Sequence, residues 1–314
     1  MSEQRLPIDA RASGLMLVLC TIWALQQVLL KATAADFSPM LQTALRCGLG
    51  AVLVAIFVWF KQPQGFRHSE PTLRPGLLAG FLFGSEFLLA AIAIEMTHVA
   101  HLIVMLYTAP IFAAIGLAIF IPSERLDPLQ WGGILLAFAG IVIAFGVSAT
   151  DQSDLPNMLL GDLLALAAGA IWGATTVVVR SSTLTRAPVS LTLVYQLVAC
   201  FVMLLIFAVL TDDLRFNGTP FVLSSLAFQV VVVSFFSYLT WFWLLKTYLA
   251  SRLGVFSFLT PMLGVVLSAW LLDEQISLRF LMGAALVVVG ITLVSAHAYL
   301  ATKFGMRFGP IKEV

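Results

Sequence analysis

Charge is scarce in this sequence. Asp, Glu, Lys and Arg make up 11% of its 314 residues, against about 25% in a soluble domain, so the chain carries too little polar surface to face water all round. Acidic and basic residues nearly cancel at a formal net charge of +1, which argues against nucleic acid as a partner, since phosphate binding needs a basic surface. Cysteine is scarce as well. Cys20, Cys47 and Cys200 all lie in apolar runs and read as packing residues rather than a disulfide or metal framework. No CxxC, HExxH, glycine-rich phosphate loop or GxSxG stands in a context that would support chemistry, so no metal and no cofactor is expected. The four histidines, His68, His98, His101 and His297, fall in loops or at the end of the last apolar run. That placement gives no nucleophile–base or metal constellation for a membrane-embedded enzyme acting on lipid or peptide.

What the sequence has in abundance is long apolar runs. Hydrophobic residues reach 61% and the mean hydropathy is +1.01. Ten runs, at about 14–35, 38–60, 75–95, 99–121, 129–148, 158–180, 188–211, 222–246, 251–272 and 277–299, are each close to the roughly 20 residues that cross a bilayer at about 1.5 Å per residue. The first is longer than a signal-peptide core and lacks a small-residue cleavage site, and so reads as an uncleaved span. Inside lipid every backbone polar group needs an internal partner, which leaves continuous helices as the solution. Short alternating strands, the mark of a membrane barrel, are absent from the pattern. The expected fold is an all-α integral membrane protein. Its longest connections are Lys61 to Pro75 and an acidic, proline-containing link from Asp151 to Asn157, neither long enough for a soluble domain.

The chain uses one pattern twice. Ile22-Trp23-Ala24, a run ending at Lys31 and then Phe37-Ser38-Pro39 return 149 residues later as Ile171-Trp172-Gly173, a run ending at Arg180 and Ala187-Pro188. Pro110 matches Pro261 at an offset of 151, and Glu124, Gly133 and Gly140 match Glu274, Gly283 and Gly290 at 150. The repeats are expected over 14–148 and 158–299. With the N-terminus inside, 13 Lys and Arg residues fall on the cytoplasmic side and three (Lys31, Arg215, Arg279) on the other. The positive-inside rule therefore places both termini in the cytoplasm. Five spans per half is an odd number, so the halves enter the membrane in opposite directions. Ten transmembrane helices as two inverted five-helix repeats follow, an architecture of secondary transporters.

These paired openings at Trp23 and Trp172, the mid-span prolines and the Glu…Gly…Gly tails resemble the EamA-type transporters of the drug/metabolite transporter superfamily, over about residues 14–297. The resemblance implies two inverted halves moving a small-molecule metabolite across the lipid bilayer, commonly exporting amino acids or related amphipathic compounds. It also implies that the last helix of each half is a packing element, with Gly133, Gly140, Gly283 and Gly290 serving close helix contact. Such a chain in the cell (inner or plasma) membrane can act as a monomer, and a homodimer stays open. A passive channel or scramblase is the alternative of another class, and it predicts an open polar groove.

Polar groups inside the spans carry the functional reading, because a charge there costs roughly 2.5–3.5 kcal/mol or more. Arg46, Glu86, Gln26 and Gln27 share one layer on three consecutive spans. Two readings stand side by side: a substrate or proton site, with Arg46 for a carboxylate and Glu86 for a proton or amine, or a structural Arg46–Glu86 pair. In the second half Tyr195 and Gln196 occupy the matched level, with Thr175, Thr176, Tyr238 and Trp241 nearby. Tyr107 is the comparable residue of the fourth span. Trp23 and Trp172 lie too deep for interfacial anchors and are expected to line a cavity. Trp59 and Trp131 read as belt residues. Pro110 and Pro261 are expected to bend their helices at a flexible or exposed point. Glu95, His98 and His101 cluster at the outer ends of spans three and four and read as solvated loop residues, and Glu124 and Glu274 as helix-end or loop contacts.

Overall fold

In the computed structural model the described residues are 6, 8–61, 71–146, 157–272 and 276–303. Glu274, His68, most of the 61–75 loop, nearly all of the 151–157 link and the tail after Lys303 therefore lie outside them. Among the described residues ten helices are long and apolar enough to cross a membrane: α1 Ala10–Thr33, α2 Pro39–Lys61, α3 Leu73–Ala93, α4 Val99–Phe120, α5 Pro128–Phe145, α6 Met158–Ser181, α7 Val189–Leu210, α8 Pro220–Thr247, α9 Ala250–Leu271 and α10 Leu278–Ser295. No strand occurs among the described residues. The protein is an all-α, multi-pass membrane protein.

The helices pair as two equivalent halves. α1 packs on α9 as α6 packs on α4, and α2 packs on α8 as α7 packs on α3. α2 meets α7, and α5 meets α10, across the pseudo-twofold axis. Exchanging each helix for its partner five places on leaves this set unchanged, as a duplicated unit requires. The buried residues of α2 and α7 include Ala44, Cys47, Ala51, Val54, Leu193, Leu197, Cys200 and Leu204, repeating at three- and four-residue intervals along one stripe of each helix. The Sγ atoms of Cys47 and Cys200 meet at 3.5 Å on this seam, so these cysteines do pack.

Glycines set the closest approaches. A Cβ on Gly133 would stand 2.8 Å from the carbonyl oxygen of Gly290, and one on Gly290 would meet Gly133 in return. Gly140 and Gly283 repeat that reciprocity about two turns away. α5 and α10 thus touch backbone to backbone, and dispersion contacts between them replace the hydrophobic effect that lipid cannot supply.

Two spans are broken, both near a repeated proline. α4 turns at Tyr107–Thr108 and restarts at Ala109 with Pro110 in its first turn. α9 runs as a short α-helix over Ala250–Leu253, a 3-10 stretch over Gly254–Phe258, and an α-helix again from Leu259, with Pro261 in its first turn. Proline lacks the N–H and crowds the preceding turn, so a straight α ladder cannot pass through it. The Cys20 thiol of α1 donates to the Phe256 carbonyl at 3.2 Å, meeting one acceptor in the irregular part of α9. A third irregularity is a π-helical segment, Gln229–Ser237, in the middle of α8.

Candidate functional site

The broken parts of α4 and α9 converge with α1, α3, α6, Gln196 of α7 and the regular helical turns of α8 that follow its π segment around one cavity of about 180 Å³. By the roughly 10–15 Å³ that one water needs on this measure, it holds on the order of ten waters. It is mainly apolar and aromatic. Trp23 of α1 and Trp241 of α8 cross edge to face at 5.8 Å, and Tyr107 of α4 and Trp172 of α6 do so at 5.7 Å. Each repeat's opening tryptophan therefore makes one crossed aromatic pair in the wall. Phe83 joins them, 6.1 Å from Tyr238 and 5.1 Å from Phe87.

The polar part of the wall comes from both halves: Gln26, Gln27 and Glu86 from the first, and Thr175, Thr176, Gln196, Ser257 and Thr260 from the second. Pro110 lines the cavity as well. Of the residues picked out from the sequence, Trp23, Gln26, Gln27, Glu86, Tyr107, Trp172, Thr176, Tyr238 and Trp241 thus come together around one space. Gly173 explains how α6 passes the break in α4, because a Cβ there would stand 2.8 Å from the Ala113 nitrogen and 3.1 Å from the Ala109 oxygen.

Three picked residues lie elsewhere. Arg46 is 1% exposed and is not in the cavity wall. Its guanidinium packs over the Phe87 ring at 5.3 Å, one side chain behind the cavity surface, within electrostatic reach of Tyr238 and Cys47. Tyr195 faces α3: its ring fills the space over Gly76 and its hydroxyl lies 3.3 Å from Thr72 Oγ1. Matching it across the repeat did not give its helix face. Pro261 is buried outside the wall.

Arg46 and Glu86 do not form a direct ion pair. Nε and Nη1 of Arg46 and Oε2 of Glu86 are buried without a hydrogen-bond partner. The Glu86 carboxyl belongs to the cavity wall, whereas the Arg46 guanidinium does not.

Two polar clusters flank the site at opposite ends of the bundle. At the end where α1 begins, Glu124 is fully buried beside Arg180 of α6. Its oxygens also accept the Ala250 and Ser251 N–H groups at 3.1 Å each and the Ser251 hydroxyl at 2.8 Å. A carboxylate suits the N-terminus of α9, where unpaired N–H groups point outward. Val179 and Ala250, the chain neighbours of Arg180 and Ser251, line the cavity, so this cluster sits at its rim. Glu124 is an inter-repeat clasp, more than a helix-end or loop contact, and no sequence spacing ties it to its partners. At the other end Asp162 of α6 lies 3.0 Å from His101 Nδ1 and accepts the Thr97 hydroxyl at 2.5 Å. His101 is therefore engaged by a carboxylate and only partly exposed, unlike the solvated loop residue expected. Glu95 is exposed.

The EamA-like transporter family model matches residues 11–146 and again 159–296. Among curated proteins, the chain is 25% identical to an uncharacterized transporter, YoaV, of Bacillus subtilis over 86% of this chain and 91% of that one. It is 27% identical to a probable amino-acid metabolite efflux pump of Escherichia coli over 90% of this chain and 94% of that one. A solved crystal structure superposes with a TM-score of 0.77 at 22% identity, covering 93% of this chain and 100% of its own, which supports the fold. On this evidence the chain is a transporter and belongs to the EamA-like transporter family.

Proposed function

We propose that this transporter exports a small amphipathic organic metabolite, an amino acid or a related compound, by alternating access. It sits in the cell membrane with both termini in the cytoplasm. The observation that carries the reading is the cavity: an aromatic space near mid-span, walled by both repeats and holding a single carboxylate, suits an organic body with one polar group better than a bare ion. The efflux pumps of similar sequence point to the same cargo class. A broken helix in each repeat gives the two halves a place to change shape around a fixed site.

In this reading the Glu124–Arg180–Ser251 cluster closes the cytoplasmic rim and parts when the cavity faces inward. Glu86 takes the polar group of the cargo, or a proton that exchanges with it. The test is uptake and efflux of labelled amino acids in proteoliposomes, with and without a pH gradient. Saturable movement supports a carrier, and movement that rises with the gradient and is lost in Glu86→Gln supports proton coupling. Saturable movement indifferent to pH leaves a facilitator. Flux that does not saturate with any cargo would instead support a channel.

A further inference from the structure

We infer that the cavity recognises its cargo through a positively charged amine, so that the cargo class extends to aromatic or similarly bulky amines that carry no carboxylate. The inference rests on the transport reading above and names the chemistry of its site.

Among the described residues lining the cavity, Glu86 is the one acidic side chain, and none of the others is a Lys, Arg or His. The residue is 8% exposed, and its Oε2 has no hydrogen-bond partner in the protein. A buried acceptor left unpaired is costly, and an incoming N–H donor with a positive charge meets it best. The cation that a carboxylate cargo would need is Arg46. Phe87 stands between: the Arg46 guanidinium lies over the Phe87 ring at 5.3 Å, while Phe87 itself faces the cavity. A carboxylate in the cavity would therefore meet the Glu86 carboxyl, an acidic group like itself, without contact to the guanidinium.

The rest of the wall suits a cation as well. Trp23, Tyr107, Trp172, Tyr238 and Trp241 surround the space, and an ammonium held against an aromatic face is attracted by the negative centre of the ring, most strongly by tryptophan. The same rings bury an apolar body. Arg46 has a different part here: it offsets the buried charge of Glu86 from behind the wall and leaves the carboxylate free on the cavity side.

The experiment compares three compounds that differ only in their charged groups: 2-phenylethylamine, phenylalanine and 3-phenylpropanoate. Binding of labelled 2-phenylethylamine to the purified full-length protein in nanodiscs is measured with the other two as competitors, and all three are assayed in proteoliposome counterflow against empty liposomes. The expected result is saturable amine binding, displaced by phenylalanine and unaffected by a hundred-fold excess of 3-phenylpropanoate. Glu86→Gln should abolish amine binding, Glu86→Asp should keep part of it, and Trp23→Leu should weaken it at least tenfold. If Glu86→Gln does not fold, the ranking of compounds on the wild-type protein decides. Transport of 3-phenylpropanoate or phenylalanine without amine binding overturns the inference and leaves the transport reading standing. Counterflow of none of these compounds, nor of any amino acid in the wider panel, removes the amino-acid reading along with it.

Discussion

The indole Nε1–H of Trp23 donates to Ser237 Oγ at 3.0 Å, tying the first helix of one repeat to the π-helical segment in the other. Ser237 in turn donates to the Val233 carbonyl at 2.6 Å. A π-turn widens the helix by one residue, and such segments are often found at functional sites. Here it brings a hydroxyl to the tryptophan that walls the cavity.

This bond predicts an order of effects. Ser237→Ala leaves the Trp23 N–H without its acceptor, at a cost of about 1–3 kcal/mol if no other group replaces it. Trp23→Phe removes the donor, while Ser237 keeps its bond to Val233. In thermal unfolding followed by size-exclusion chromatography, Ser237→Ala should therefore lower the midpoint, and Trp23→Phe should do so less per hydrogen bond lost. Binding of cargo should weaken in both, because the ring loses its fixed orientation.

The Glu124–Arg180 contact gives a sharper case. Both side chains are buried, and removing one partner of a buried pair costs about 3–5 kcal/mol because the other charge is left unpaired. Glu124→Gln keeps an acceptor for the α9 N–H groups but strands Arg180, and should be severely destabilised. The double variant Glu124→Leu/Arg180→Leu should recover part of the loss. It should stop short of wild type, because Ala250 and Ser251 lose their acceptor, a cap worth about 0.5–2 kcal/mol. Thermal midpoints of Glu124→Leu, Arg180→Leu and the double variant against wild type measure the coupling. A double variant no better than Glu124→Gln would show that the cap, not the ion pair, carries the stability.

Most of the fold was legible because its signals are one-dimensional. Ten apolar runs fix ten helices, and their ends agree with the structure to within about four residues, the usual error of helix limits read from sequence. The two tryptophan openings pointed to residues that do meet at one cavity, since a repeat places matched residues at matched depth. Depth was the limit of that reasoning. Tyr195 and Arg46 turn toward a neighbouring helix rather than into the cavity wall, because rotation about the helix axis depends on which partner packs there. Gly76 and Gly80 give Tyr195 its place against α3, a contact between residues more than 100 positions apart. The partners of Glu124 and the pairing of His101 with Asp162 were hidden for the same reason, being contacts across the chain with no sequence spacing to reveal them. The π segment in α8 leaves no mark in hydropathy.

The start of α1 predicts a pH effect with a definite sign. Asp9 precedes the helix, and its Oδ1 accepts the Ala12 N–H at 2.7 Å while the Tyr248 hydroxyl donates to it at 3.1–3.2 Å. The Ala12 N–H is the main cause that holds this carboxyl below its ordinary value, with burial opposing and Tyr248 assisting. A depressed carboxylate contributes its stability above its unfolded value and loses it as the pH falls through the folded one. Asp9→Ala should therefore lower stability at pH 7, by about 1 kcal/mol on the usual scale for a helix cap. The gap between the two proteins should hold from pH 8 to 5 and narrow in stronger acid. Thermal midpoints taken across that range check it, and a gap that widens with acid would contradict the sign.

The helix seam between α5 and α10 separates packing from transport. Gly290→Ala would drive a methyl group into the Gly133 carbonyl and the backbone nitrogen of Ala137, so the two helices must move apart, at a cost of about 1–3 kcal/mol for overpacking. Gly132 and Gly264 have nothing within 4 Å of a Cβ, and Gly132→Ala is the matched control on α5, expected to be neutral or slightly stabilising through the better helix propensity of alanine. Because α5 and α10 supply none of the cavity wall, the Gly290→Ala protein that does fold should bind and move cargo with wild-type affinity. A lower melting temperature with unchanged transport per folded molecule is the expected pair of results. A loss of affinity in Gly290→Ala would instead mean that this seam moves with the cavity during transport, making it part of the working cycle rather than a fixed support.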